Sequence, residues 1–320
     1  MDNTDLVPTP ARSLSPTGPS LEDLVERFLR AQDVAPSSLV TYRKQLARFV
    51  SWLRETGLYC CLDTMTRETI LDFKQKLIDS GLSSYSVSGY LTAVRRFFEW
   101  LEGAKIYPNV ARGVKGMKKA RGFRKDVLSP SQIRRALESQ GREGLTGKRD
   151  FALFNLLVRT GLRTIEISRA EVGDLRQEAG EAVLFVQGKG RDEKDDFVLL
   201  TEEALAPIQD YLRARAEQEG GAPDDTAALF ISHSNRGKDG PLTTRSISRI
   251  VKERLRGIGL DSKRLSAHSL RHTCGTLALK GGAPLEQVQA MLRHSDIRTT
   301  QIYVRNLDRV RQGAEKFVSF

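Results

Sequence analysis

The chain has 320 residues, 39% of them hydrophobic and 28% charged, long enough for two domains with real cores. No apolar run approaches the roughly 20 residues a membrane span needs, and the first residues lack the apolar core of a secretory signal. A membrane or exported protein is therefore not expected; the net charge of +11, with a pI near 9.7, points instead to an acidic partner such as nucleic acid.

That charge is unevenly placed. Residues 1–104 sum to −1, residues 105–125 to +8 and residues 126–320 to +4. The short middle segment holds eight basic and no acidic residues, which suits a strand laid against phosphates. The three cysteines, Cys60, Cys61 and Cys274, fit neither a disulfide framework nor a zinc site, and read as free thiols in a reducing, cytoplasmic compartment.

In chain order, residues 1–19 are rich in Pro, Ser and Thr and read as a flexible tail. Ser20 reads as an N-cap for a helix carrying Leu21, Leu24, Val25, Phe28 and Leu29 inward. A second helix is predicted over about 37–55, a third over 67–79 and a fourth over 84–101, with Gly57 and Gly81 as stops. Four helices with short connections predict a small bundle over 20–104, followed by a basic linker over 105–127.

Ser129, Pro130 and Gln132 form an S-x-x-Q capping box that opens a second domain over 128–320. Phe151–Val158 is almost wholly apolar and predicts a central buried helix, ended by Gly161. Arg159, Arg163 and Arg169 flank this junction, and composition does not choose among them. Two short strands are predicted, at about 182–187 and 195–200, joined by a charged turn with Gly188 and Gly190. His233 reads as an ordinary loop residue.

The rare chemistry is crowded into 266–305. Three of the four histidines (His268, His272, His294) fall here. His268 and Arg271 stand three apart in a helical segment, so their side chains share a face. Tyr303 follows nine residues after His294, on a separate short helix. A cation, a proton carrier and a phenol on neighbouring helices suit chemistry on a phosphate. His268 and His272 are spaced like a zinc pair, but Arg271 lies between them and no glutamate base accompanies them, so no metal is expected. His272 reads as structural. Val310, Ala314 and Phe317 form a one-sided apolar stripe near the end.

The pattern His268-Ser-Leu-Arg271, then His294, then Tyr303 closely resembles the signature of the tyrosine recombinases, the phage-integrase family, with the Xer-like members nearest. The resemblance covers roughly residues 20–318 and departs at Arg293, where the family usually has glycine. It implies a mainly α fold with a small β-sheet: an N-terminal four-helix SAM-like DNA-clamp domain and a C-terminal mixed α/β catalytic domain. The family's T-G-x-R-x-x-E context picks out Arg163 and Glu166, and its hairpin lysine falls on Lys189, with Lys194 as second choice.

The implied catalytic set is Arg163, Lys189, His268, Arg271, His294 and Tyr303. Two guanidiniums hold the phosphate oxygens, and Tyr303 attacks with His268 as its acid/base. His294 donates to the phosphate, and Lys189 protonates the leaving oxygen. The implied activity is site-specific recombination through a 3′-phosphotyrosine, with neither cofactor nor metal, serving a mobile element or Xer-type dimer resolution. The implied partners are a double-stranded DNA site, a homo-tetramer on two duplexes joined by the C-terminal helix, and a partner recombinase or accessory protein. The implied location is cytoplasmic, on the nucleoid. A type IB topoisomerase-like nicking-closing enzyme and a catalytically silent DNA-binding relative are the alternatives.

Overall fold

The computed structural model describes residues 19–59, 62–118, 126–139, 141–188, 191–233, 239–311 and 314–318, without the side chains of 305–315. Expectations for the tail, Cys60, Cys61, Lys189, Gly190 and the most basic part of the linker therefore lie outside the described residues. The chain divides into two compact units, Met1–Arg121 and Gly122–Phe320.

The first unit contains α1 (Leu21–Arg30), α2 (Pro36–Glu55), α3 (Arg67–Asp79) and α4 (Ser84–Gly103). Ser20 caps α1 by accepting from the Asp23 N–H, while the Asp23 carboxylate accepts from the Ser20 N–H. The buried faces carry the apolar residues that the helical spacing selects, with Phe28 edge-on to Phe97 at 5.6 Å and Phe49 to Phe73 at 4.9 Å. The segment after α4 differs from a free linker. Ala111 and Val114 are buried in the bundle, and the Tyr107 hydroxyl donates to the Met65 carbonyl at 2.8 Å. Arg67 and Lys74 donate to the carbonyls of Arg112 and Lys115. The cause is visible in the sequence: apolar residues are interleaved with the cations, so one side of the segment packs while the other stays wet.

The second unit begins with α5 (Pro130–Glu138), opened by the Ser129–Gln132 capping box. The long α6 (Gly144–Thr160) runs through its core, as its apolar stretch dictates. The short α7 (Thr164–Ser168) follows, then a three-stranded antiparallel sheet in the order β1 (Leu175–Glu178), β2 (Glu181–Val186), β3 (Asp196–Leu199). The strand β1 was not expected, since Leu-Arg-Gln-Glu is short and mostly polar; its register on β2, Leu175 opposite Leu184, defines it. Then come α8 (Glu202–Glu219), α9 (Thr244–Gly257), α10 (Ala267–Lys280), α11 (Leu285–Leu292) and α12 (Ile297–Arg311).

Two expectations need correcting. Tyr303 does not lie on a short helix but midway along the 15-residue α12. Nor do Val310, Ala314 and Phe317 share one helix: α12 ends at Arg311 and a separate 3-10 turn covers Ala314–Phe317, with Phe317 82% exposed. Among the described residues no helix is long and apolar enough to cross a membrane.

Candidate active site

The site is built where α6, α10, α11 and α12 meet. Gly161 ends α6 in a left-handed turn, φ 63°, and a Cβ there would come within 2.6 Å of Leu292 on α11. Its carbonyl accepts from the Arg271 guanidinium at 2.7 Å, and the Leu292 carbonyl accepts from the same guanidinium. These two carbonyls fix Arg271, which is 2% exposed. Burial, with Arg163 nearby, lowers its pKa to about 10, still far above neutrality.

Arg163 stands at the turn into α7. Glu166, fully buried, accepts the Arg163 backbone N–H and its guanidinium, both at 2.7 Å. Arg163 also donates to the carbonyl of Arg293 at 3.1 Å. Arg293 itself was singled out only as a departure from glycine. It takes the left-handed conformation glycine would favour, φ 52°, and its buried guanidinium donates to Glu166 at 2.7 Å. Burial pushes the Glu166 carboxyl up, but Arg293, followed by Arg163, outweighs it and holds the pKa below the ordinary value.

His294 follows Arg293. Its Nδ1 lies 2.9 Å from the buried Thr300 hydroxyl. Burial, then Arg271 and Arg163, lowers its pKa to about 4, so the ring is neutral at pH 7. In the tautomer where the Thr300 hydroxyl donates to Nδ1, Nε2 carries the proton and can donate. The ring stacks on Tyr303 at 6.3 Å.

Tyr303 is 1% exposed. A Cβ on Gly275 of α10 would come within 2.8 Å of the Leu292 side chain, so glycine there lets α11 come close, while the Tyr303 ring would stand at ordinary contact distance, 3.5 Å. Burial raises the phenol pKa to about 12, while the Arg271 and Arg163 charges act in the opposite direction. The phenol oxygen lies 2.6 Å from Nδ1 of His272. That contact puts His272, which the sequence reads as structural, against the phenol. His268 is exposed on the first turn of α10, its ring 4.5 Å from that of His272.

The structure thus brings Arg163, His268, Arg271, His294 and Tyr303 together. Arg163, His268 and Arg271 line one cavity of about 210 Å³, and Arg163, Arg293 and His294 line a neighbouring cleft of about 630 Å³. Lys189 is outside the described residues. Lys194, the second choice, is bonded to Glu171 at 2.5 Å and Asp174 at 2.7 Å. Burial works against its charge, but the two carboxylates raise its pKa overall. Among the described residues no group of three or more His, Cys, Asp and Glu side chains is placed to hold a metal ion.

Sequence reasoning missed the parts played by His272, Arg293 and Thr300. His272 had a usable signal, since it lies one helical turn after His268 on the same face. Thr300 had none: nothing distinguishes it from Thr299 beside it.

A model of the phage integrase family matches residues 126–309, and one of the phage integrase N-terminal SAM-like domain matches 21–105. The chain belongs to the phage integrase family. It is accordingly an enzyme, a tyrosine-type site-specific recombinase. It is 33% identical over 285 residues to a tyrosine recombinase XerD of Pseudomonas putida, covering 88% of this chain and 91% of the relative. To a XerD of Listeria monocytogenes it is 29% identical over 288 residues, covering 88% and 94%. Its fold matches that of a XerH site-specific recombinase in a post-cleavage complex with its difH substrate, with a TM-score of 0.71 at 21% identity over 92% of this chain and 84% of that one. It also matches a lambda integrase fragment bound as a dimer to a core site, with a TM-score of 0.65 at 16% identity over 87% and 96%.

Proposed function

We propose that Tyr303 is the nucleophile with which this recombinase cuts and rejoins DNA. Its Oη attacks a backbone phosphorus, forming a 3′-phosphotyrosine and releasing a 5′ hydroxyl. A different 5′ hydroxyl then attacks the linkage, so strands are exchanged without ATP. The observation that carries this reading is a buried phenol on which the charges of Arg163 and Arg271 both act.

Arg163 and Arg271 supply planar forks for the phosphate oxygens, where charge grows in the transition state. Glu166 holds Arg163 in place, and neutral His294 donates from Nε2. His268, at the solvent side of the site, acts as acid/base, and Lys189 protonates the leaving 5′ oxygen. These roles use fixed side-chain cations, so the reaction runs without a metal. The substrate is a double-stranded recombination site, engaged by four protomers on two duplexes. Exposed Phe317 and Val318 offer apolar surface near the C-terminus for a neighbouring subunit. A DNA substrate and a basic chain support a cytoplasmic location, on the nucleoid.

The test begins with a randomised library of nicked duplexes, from which those held by the wild-type chain are recovered. On the selected duplex the wild type forms a covalent complex, and Tyr303→Phe forms none while still binding. Joining of two different duplexes separates recombination from nicking and closing. Covalent complex formation by Tyr303→Phe would refute the assignment.

A further inference from the structure

The buried phenol poses a problem that the two arginines do not solve alone. With its pKa pushed up to about 12, Tyr303 holds its proton at rest and must lose it as the Oη–P bond forms. A proton acceptor therefore has to stand at the oxygen itself. Nδ1 of His272 stands there, at 2.6 Å and 31 residues away in sequence. The next imidazole along is His268, ring centroid 4.5 Å away and nearly perpendicular, itself exposed on the first turn of α10. The charged and titratable groups around the pair are Arg271 and Cys274 on α10, with His294 and Arg163 also near the phenol.

We propose that His272 is a further catalytic residue, the base that receives the Tyr303 proton during cleavage and returns it during rejoining. This deepens the recombinase reading and rests on it. In cleavage the Oη electron pair forms the bond to phosphorus and the proton passes to Nδ1. The P–O5′ bond breaks with its electron pair on O5′, which takes a proton from the site's general acid. In rejoining, the incoming 5′ hydroxyl gives its proton back to the group that acted as general acid, its oxygen bonds to phosphorus, and the P–Oη bond breaks with its electron pair on Oη, which takes its proton from His272. His268, adjoining His272 on the wet side, keeps its acid/base part by relaying that proton between His272 and solvent rather than taking it from the phenol directly. Sequence spacing fits this division: four residues apart on one helix, the two rings sit one turn above the other.

The full chain and the selected nicked duplex test it. His272→Asn keeps an acceptor oxygen near the place of Nδ1 but cannot hold a proton; His272→Ala removes both. Single-turnover covalent complex formation should fall about 100-fold or more in each, within the range for a lost general base. Binding to the same duplex should hold. The wild-type rate should rise with pH through an imidazole ionisation, and that limb should vanish in His272→Asn. Added imidazole should speed His272→Ala. A 5′-bridging phosphorothiolate, whose sulfur leaves without a proton, should not repair either variant, because the loss is on the attacking side. Rates within about threefold of wild type overturn the proposal, as does full recovery on the phosphorothiolate. So does a loss that merely tracks binding and melting temperature, with no response to imidazole. Absence of a covalent complex with the wild type would instead strike the recombinase reading.

Discussion

The two units bury different things. In the first, the described buried side chains are apolar with Thr69 as the single exception; in the second, Arg149, Glu166, Arg254 and Arg271 are buried alongside Asn155, Asp174 and several threonines. Burying charge is costly unless each group is paired. Glu166 and Arg271 are paired fully, by two guanidiniums and by two carbonyls. Arg254 has no hydrogen-bond partner for its guanidinium among the described residues; it lies 5.3 Å from the Phe154 ring, and burial lowers its pKa to about 10. The first unit is thus organised as a packing problem, and the second accepts buried charge in order to build a dry, cationic site.

Substitutions in each unit test this contrast. Phe97→Ala, in the apolar unit, should cost about 3–5 kcal/mol of that unit's stability through the cavity it leaves. Calorimetry of the full chain should show a low-temperature transition appear or move, with the melting of the catalytic unit unchanged. Arg271→Ala leaves two buried carbonyls without donors, so it should lose roughly 2–4 kcal/mol of stability as well as its transition-state contacts. Arg163→Ala should lose activity on a similar scale but less stability, because Arg163 is 29% exposed. Equal melting temperatures for the two variants would contradict the burial argument.

Arg293 separates strain from pairing. Arg293→Ala keeps the left-handed backbone and loses the ion pair, whereas Arg293→Gly loses both strain and pair. The alanine variant should be the less stable by about 1 kcal/mol. His294 gives an effect that is absent at neutral pH and appears only in acid. Its folded pKa, about 4, lies below its ordinary value of 6.5, so the unfolded chain binds the proton more tightly. Stability of the catalytic unit should be intact above about pH 6.5 and decline as pH falls toward 4. His294→Asn should flatten that slope, read from urea midpoints.

The same contrast explains what was legible in the sequence. The helices of the first unit were readable because Leu24, Phe28, Phe49, Phe97 and their neighbours repeat at helical spacing and have no other task. The capping box at Ser129 and the stop at Gly161 were readable for the same local reasons. Failures gathered where tertiary contact decides. The strand β1 forms only because β2 offers it a partner, and the helix of Tyr303 runs longer than the short one expected. Segment 105–118 looked like linker because its cations hid the positions of Ala111 and Val114. At the site, family spacing located Arg163 and Arg271, but not what holds them. Arg293 could be flagged as unusual, yet its bond to Glu166 joins positions 127 residues apart. The contact between His272 and Tyr303 is equally non-local.

The mechanism proposed for Tyr303 has fixed guanidiniums supporting a phenol that takes over a DNA strand end. It is tested most directly by digesting the trapped protein–DNA adduct and locating the nucleotide by mass spectrometry. The nucleotide should be found on Tyr303 alone among the seven tyrosines, in the same yield with and without a chelator. A nucleotide carried on any other side chain, or an adduct that forms only when a divalent metal is supplied, would contradict it.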